Sequence, residues 1–289
     1  MIHTLMLAFA LIGAWGWRCL PYQPDGSWQA RWQRAIGQFV GPPLLLLVTG
    51  LAVLGMGRQG EMAGAWQGQI GYDLAVAGLG FSLVLGIYLA GLGWRSLHRM
   101  QTYPQVEVAG QTLYLLESPS FFAAQVGFWQ SYLLVSRGLW QGIPPQHMQA
   151  ILSHEQAHHH YRDPFCFFGL GWLRRLTPWL PQTQLLWGEL VLLRELRADR
   201  WAARQVDPLT LAEAMLMVSA DGVPVNWPEC VAFASAMDPH HRLQERIQAL
   251  LIEGSQTSSK QAWWQPLTAW GWLVGVAAPL LSLPFHHAS

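Results

Sequence analysis

The sequence predicts an α-helical membrane protein, with about four transmembrane helices, that carries a mainly α, α+β soluble domain with a small sheet. Three observations lead there. The 289 residues are 52% hydrophobic and only 12% charged, about half the charged share of a soluble globular protein. Four long stretches carry no charge at all. Between the third and fourth lies one block that holds most of the ionisable side chains and has the length to form its own core.

The four stretches are Met1–Trp17, Gly37–Gly57, Leu74–Trp94 and Trp263–Phe285, of 17, 21, 21 and 23 residues. A bilayer-crossing helix needs roughly 20. The first lacks a basic leader and a small-residue cleavage site, so it reads as an anchor rather than a signal peptide. Pro42 and Pro43 fall near the start of the second, where they interrupt few helical hydrogen bonds. The chain then divides into a three-helix membrane region (1–94), a soluble domain (95–262) and a C-terminal transmembrane helix (263–289).

Loop charges orient the spans. Arg18, Arg31 and Arg34 outnumber Asp25 in the first loop, Arg58 is outweighed by Glu61 and Asp73 in the second, and Arg95 and Arg99 follow the third. The positive-inside bias puts the N-terminus outside and residues 95–262 in the cytoplasm of a cell membrane. Trp263 and Trp264, just after Lys260, fit an aromatic belt at the cytosolic face. Lys plus Arg and Asp plus Glu both number 17, so no basic surplus argues for nucleic acid. Cys19, Cys166 and Cys230 form neither a disulfide framework nor a thiolate metal cluster.

Within residues 95–262, Gln105–Ala109, Thr112–Glu117 and Ser131–Ser136 have strand composition between Gly, Pro and Ser punctuation. From Pro144 onward the pattern is helical. Pro144 and Pro145 suit a helix start, and Asp163-Pro164 suits the exit of the helix that begins there. Residues 165–193 read as helices lying against the membrane.

The chemistry-bearing segment is His154-Glu155-Gln156-Ala157-His158. Four residues apart on a helix, His154 and His158 present two imidazoles to one ion, while Glu155 reaches a water bound to it. Chance would produce such a pattern about 0.015 times in a chain of this composition. A catalytic zinc site wants a third protein ligand. Glu195, in Arg194-Glu195-Leu196-Arg197-Ala198-Asp199, is the candidate, and Asp199, four residues on, could orient a ligand imidazole. An exposed helix laced with Glu/Arg pairs fits the same residues equally well, because Arg194, Arg197, Arg200 and Arg204 surround them.

His-Glu-Gln-Ala-His followed by Glu-Leu-Arg-Ala-Asp resembles the signature of the gluzincin membrane zinc metallopeptidases. These are the BlaR/MecR antirepressor type and the related HtpX and CAAX-prenyl endopeptidase family. Leu133-Leu134-Val135-Ser136, Asp163-Pro164 and the segment Asp238–Ile247 extend the resemblance over about residues 95–252. It implies a zincin-like domain and one Zn2+ per chain held by His154, His158 and Glu195. It further implies Glu155 as general base and Asp199 behind a ligand. His240 and His241 are candidate oxyanion stabilisers, with helix capping or plain exposure an equal alternative. His159, four residues after Glu155, reads as a solvated side chain. The penicillin-binding domain of BlaR-type sensors has no counterpart before the chain ends, four residues past Phe285, so a β-lactam receptor role is not expected.

The expected function is a membrane-anchored zinc metalloendopeptidase that hydrolyses peptide bonds of cytosolic or membrane-associated proteins, with a regulatory role among its expected uses. Its partners would be a protein or peptide substrate and the lipid bilayer, and an extended substrate could add to a sheet edge near Gln125–Gln130. The alternative is a non-catalytic, zinc-stabilised membrane sensor or scaffold. Pro145–Asp163 is too polar for an intramembrane active site, and the spans hold too few polar residues for a transporter.

Overall fold

The computed structural model describes residues 2–57, 65–108, 111–220, 242–253 and 271–282. It is 74% helical with one four-stranded sheet. Its contacts divide it into two units. The first comprises Met1–Tyr88, Trp172–Leu190 and Gln261–Ser289, and the second Leu89–Gly171 and Val191–Lys260.

In the first unit, α1 (Ile2–Cys19) packs on α2 (Trp28–Met56), and α3 (Ala65–Met100) supplies its residues up to Tyr88. The Ser27 side chain caps α2 by accepting from Ala30 N, so this helix starts nine residues ahead of the apolar run. Pro43 has no N–H to give the carbonyl of Phe39 one turn earlier. Arg18, 1% exposed, repairs the gap: its guanidinium donates to Phe39 O at 3.2 Å and to Pro181 O at 3.3 Å. Gly41 lets the helices approach, since a Cβ there would lie 2.5 Å from the Trp17 ring. Glu189, also buried, accepts from Arg31 Nε at 2.7 Å and from Tyr22 Oη at 3.0 Å.

Two of the four expected spans are present as helices long and apolar enough to cross a membrane: α2, and Gln69–Met100 of α3. The first expected span is a continuous helix of 18 residues. Of the fourth, α10 (Trp272–Ala277) and a 3-10 turn (Ala278–Ser282) are described; its other residues, with Trp263 and Trp264, lie outside the described residues.

The second unit is built on a sheet of order β1-β2-β4-β3. β1 (Gln105–Val108) and β2 (Gln111–Leu116) pair antiparallel, β2 and β4 (Ser131–Ser136) pair parallel, and β3 (Ala123–Gly127) pairs antiparallel with β4 at the edge. The expected strands 105–109, 112–117 and 131–136 correspond to β1, β2 and β4, whereas β3 was not expected. Strand alternation sorts the side chains. Leu113, Leu115, Leu133 and Val135 point to a core shared with Met148 and Ile151 of α5 (Pro145–His160), with Leu211 of α8 (Pro208–Ala220) and with Leu250 of α9 (Leu243–Glu253). Tyr114, Leu134, Ala124 and Val126 point the other way, to Met100 and Phe122. Both faces are covered, which is why β2 and β4 read as continuous apolar runs.

Ser136 ends β4 and caps α4 (Arg137–Gly142), its hydroxyl accepting from Leu139 N at 3.2 Å and Phe122 N at 3.0 Å. A Cβ on Gly138 would meet the Pro119 carbonyl oxygen at 1.7 Å, so only glycine fits where the chain crosses there. α5 starts at Pro145 as expected and ends at His160. Arg162 then turns left-handed (φ 55°) and α6 (Asp163–Leu176) begins at once, followed by α7 (Thr183–Ala202). Residues 165–176 and 183–193 are therefore helical, in α6 and α7, with turns at 177–182 between them.

Candidate metal centre

α5 lies against β3 and β4. On this helix the His154 and His158 rings stand one turn apart, with centroids 4.8 Å apart and planes nearly perpendicular. Their Nε2 atoms converge to 3.1 Å. From α7, Glu195 brings Oε2 to 3.3 Å from His154 Nε2 and Oε1 to 3.7 Å from His158 Nε2. These three residues could hold a metal ion, with their donor atoms within 4.8 Å of one another.

The outer nitrogen of each ring meets its own carboxylate. His154 Nδ1 lies 2.9 Å from Asp199 Oδ1, and His158 Nδ1 lies 2.8 Å from Asp163 Oδ2. When each Nδ1 keeps its proton toward a carboxylate, each Nε2 presents a lone pair inward. Two lone pairs and a carboxylate facing one another at 3.1–3.7 Å repel unless a cation joins them. Zinc bonds of about 2.0–2.1 Å in a tetrahedral site set neighbouring donors about 3.3 Å apart, so the residues present fit a zinc-sized ion.

Arginines hold the carboxylates in place. Arg246, on α9, donates Nε to Asp199 Oδ2 and an Nη to Asp199 Oδ1, both at 2.7 Å, and approaches Glu195 Oε2 at 3.3 Å. Arg194 meets Glu195 Oε1 at 2.7 Å, and Arg197 binds Asp163. The latter two also stack, Arg194 on Phe167 and Arg197 on Tyr161.

Burial alone would raise the acids, but the guanidiniums outweigh it. Arg194 and Arg246 hold Glu195 well below the usual carboxylate range, Arg246 holds Asp199 down, and His158 and Arg197 do so for Asp163. Burial would lower His154, yet the bonds to Asp199 and Glu195 prevail and raise it to about 10. Arg246 is in turn held above its ordinary value by Asp199 and Glu195 despite its burial.

The structure thus brings together His154, His158, Glu195 and Asp199. The exposed-helix alternative for Glu195 and Asp199 fails on burial, since their side chains are only 15% and 2% exposed. Glu155 is buried beside His154. His159 is exposed, and its Nδ1 lies 2.8 Å from Ser131 Oγ at the start of β4. His240 and His241 lie outside the described residues. The sequence reading missed Asp163 and Arg246 as members of the site. The one signal for both was the resemblance, in which Asp163-Pro164 and Arg246-Ile247 recur. Compared with family models, with curated proteins and with solved structures, the chain matches none.

Proposed function

We propose that this chain is a membrane-anchored, zinc-dependent metalloendopeptidase of the gluzincin type, acting on cytosolic or membrane-associated proteins from the cytoplasmic side of a four-span membrane region. One observation carries the reading: His154, His158 and Glu195 point three donors at one place, each braced from behind, and the buried carboxylate Glu155 follows the first of them in the chain. A site that only stabilised a fold would have no use for that carboxylate.

Zinc bound by His154, His158 and Glu195 would supply an electrophile for the scissile carbonyl and an acidified water. Glu155 takes the proton of the attacking water and passes it to the leaving amine. Asp199 and Asp163 face the outer Nδ1 of each ring, so Nε2 is the nitrogen that would give up its proton to a bound metal. β3, at the sheet edge and against α5, offers main-chain groups to an extended substrate, close to the edge that Gln125–Gln130 marks in the sequence.

The test is Glu155→Gln in the full-length membrane protein. Metal content stays at one ion per chain, and fragments that appear in membrane and cytosol with the wild type disappear. Equal proteolysis by the variant removes Glu155 from the base role, and a metal-loaded wild type that cleaves nothing, itself included, makes the chain a sensor or scaffold.

A further inference from the structure

The turn between β3 and β4 carries an apolar tip that the metal site does not use. Trp129 is 60% exposed, and Phe165 at the start of α6, 44% exposed, meets it edge-on with ring centroids 5.4 Å apart. The exposed Arg162 guanidinium lies 3.8 Å above the Trp129 ring, in the left-handed turn that separates α5 from α6. Two large rings and a stacked cation held out toward solvent are costly in water, and this composition is the one that favours the boundary between lipid tails and headgroups.

What lies beneath the tip identifies its occupant. Phe128, next to Trp129, packs onto Gly93 of α3 so closely that a Cβ on Gly93 would lie 2.4 Å from Phe128 Cζ. Phe128 also meets Phe168 edge-on at 4.9 Å. Gly93 sits where the apolar stretch of α3 ends, at the exposed Trp94 (68%) followed by Arg95. The tip therefore docks where the apolar stretch ends on a helix long and apolar enough to cross a membrane, at the level where its own Trp and Arg fit a headgroup layer.

We propose that Trp129, Phe165 and Arg162, together with Trp94, form an interfacial anchor that seats the β3–β4 turn in the phospholipid headgroup layer. The rings take the acyl boundary, and Arg162 takes lipid phosphate. The inference rests on α3 crossing the membrane and is independent of peptidase activity.

The test places a spin label at Gln130→Cys, which leaves the anchor intact, in full-length protein whose Cys19, Cys166 and Cys230 are changed to serine. The protein is reconstituted in vesicles of phosphatidylcholine with phosphatidylglycerol. Oxygen, which concentrates in lipid, relaxes the label more than a water-soluble nickel chelate does, and Trp129→Ala/Phe165→Ala reverses the order while metal content stays at the wild-type level. A label that the chelate reaches as readily as one at the exposed Arg204→Cys overturns the proposal. Shielding from both reagents with broadening between labels on two chains also overturns it, and assigns the tip to a second copy instead.

Discussion

Arg246 grips both oxygens of Asp199 at 2.7 Å, and that same carboxylate faces the outer nitrogen of His154. A helix from residues 243–253 thereby braces the carboxylate that faces a histidine almost a hundred positions earlier in the chain. Removing Arg246 leaves Asp199 and Glu195 buried without their shared cation. Arg246→Ala should cost about 3–5 kcal/mol in the metal-free protein, with Arg246→Lys intermediate because the forked contact is lost. Thermal unfolding in detergent micelles measures it, and added zinc should recover part of the loss by restoring a positive charge. An unchanged unfolding midpoint would show that the ion pairs are not coupled to the fold.

The two carboxylates behind the histidines act alike. Asp199→Asn and Asp163→Asn each weaken the hold on one ring and should lower zinc affinity about 10–100-fold, as read by competition with a chromophoric chelator. Asp163→Asn carries the sharper information. Full affinity in that variant would mean that the 2.8 Å contact to His158 plays no part in metal binding.

Metal uptake should depend on pH with a definite sign. Folding raises the His154 pKa from 6.5 to about 10 in the metal-free protein. The proton on His154 therefore stabilises the metal-free fold fully below pH 6.5, and this contribution disappears as pH rises through 10. Zinc must displace that proton, so apparent affinity should climb about tenfold per pH unit between about pH 7 and 9, with one proton released per ion bound. Titrations in buffers of different ionisation enthalpy count the proton. A flat profile over that range would mean that His154 is already neutral.

Gly127, with φ 154°, closes the β3–β4 turn, and a Cβ there would meet the Gln130 carbonyl oxygen at 2.2 Å. Gly127→Ala should cost about 1–3 kcal/mol and loosen β3 at the sheet edge. Hydrogen exchange along Ala123–Gly127 measures it. Protection equal to wild type would show that the turn tolerates a side chain.

The helix carrying the histidines was legible because its signals are local: prolines at its start, Asp163-Pro164 at its exit and an apolar stripe between. Glu195 and Asp199 were legible as a candidate ligand and its supporting carboxylate, but spacing alone fitted an exposed helix laced with Glu/Arg pairs equally well. Spacing fixes a shared helical face and leaves open whether that face is wet, and only burial against α5 and α9 decides it. Asp163 escaped because it follows His158 by five residues across a left-handed turn at Arg162, so no helical period links them. β3 escaped because Ala-Ala-Gln-Val-Gly has a single β-branched residue; its strand conformation comes from pairing with β4 and packing on α5 rather than from propensity. The long apolar runs announced α2 and α3, while the polar first turns of α2 depend on the Ser27 cap.

The bracing of the two histidines also sets an order of assembly during synthesis. His158 meets Asp163 five residues later, so this half is complete as soon as α5 and the start of α6 have formed. His154 waits for Asp199, and Asp199 and Glu195 wait for Arg246. A nascent chain that has reached α7 but not α9 already owns the three residues that could hold a metal ion, yet it holds two acids whose shared arginine has not been made. On the proposed function, the hydrolytic centre is complete only once α9 has been made, and a chain that has not reached α9 is poorly equipped to cut its neighbours.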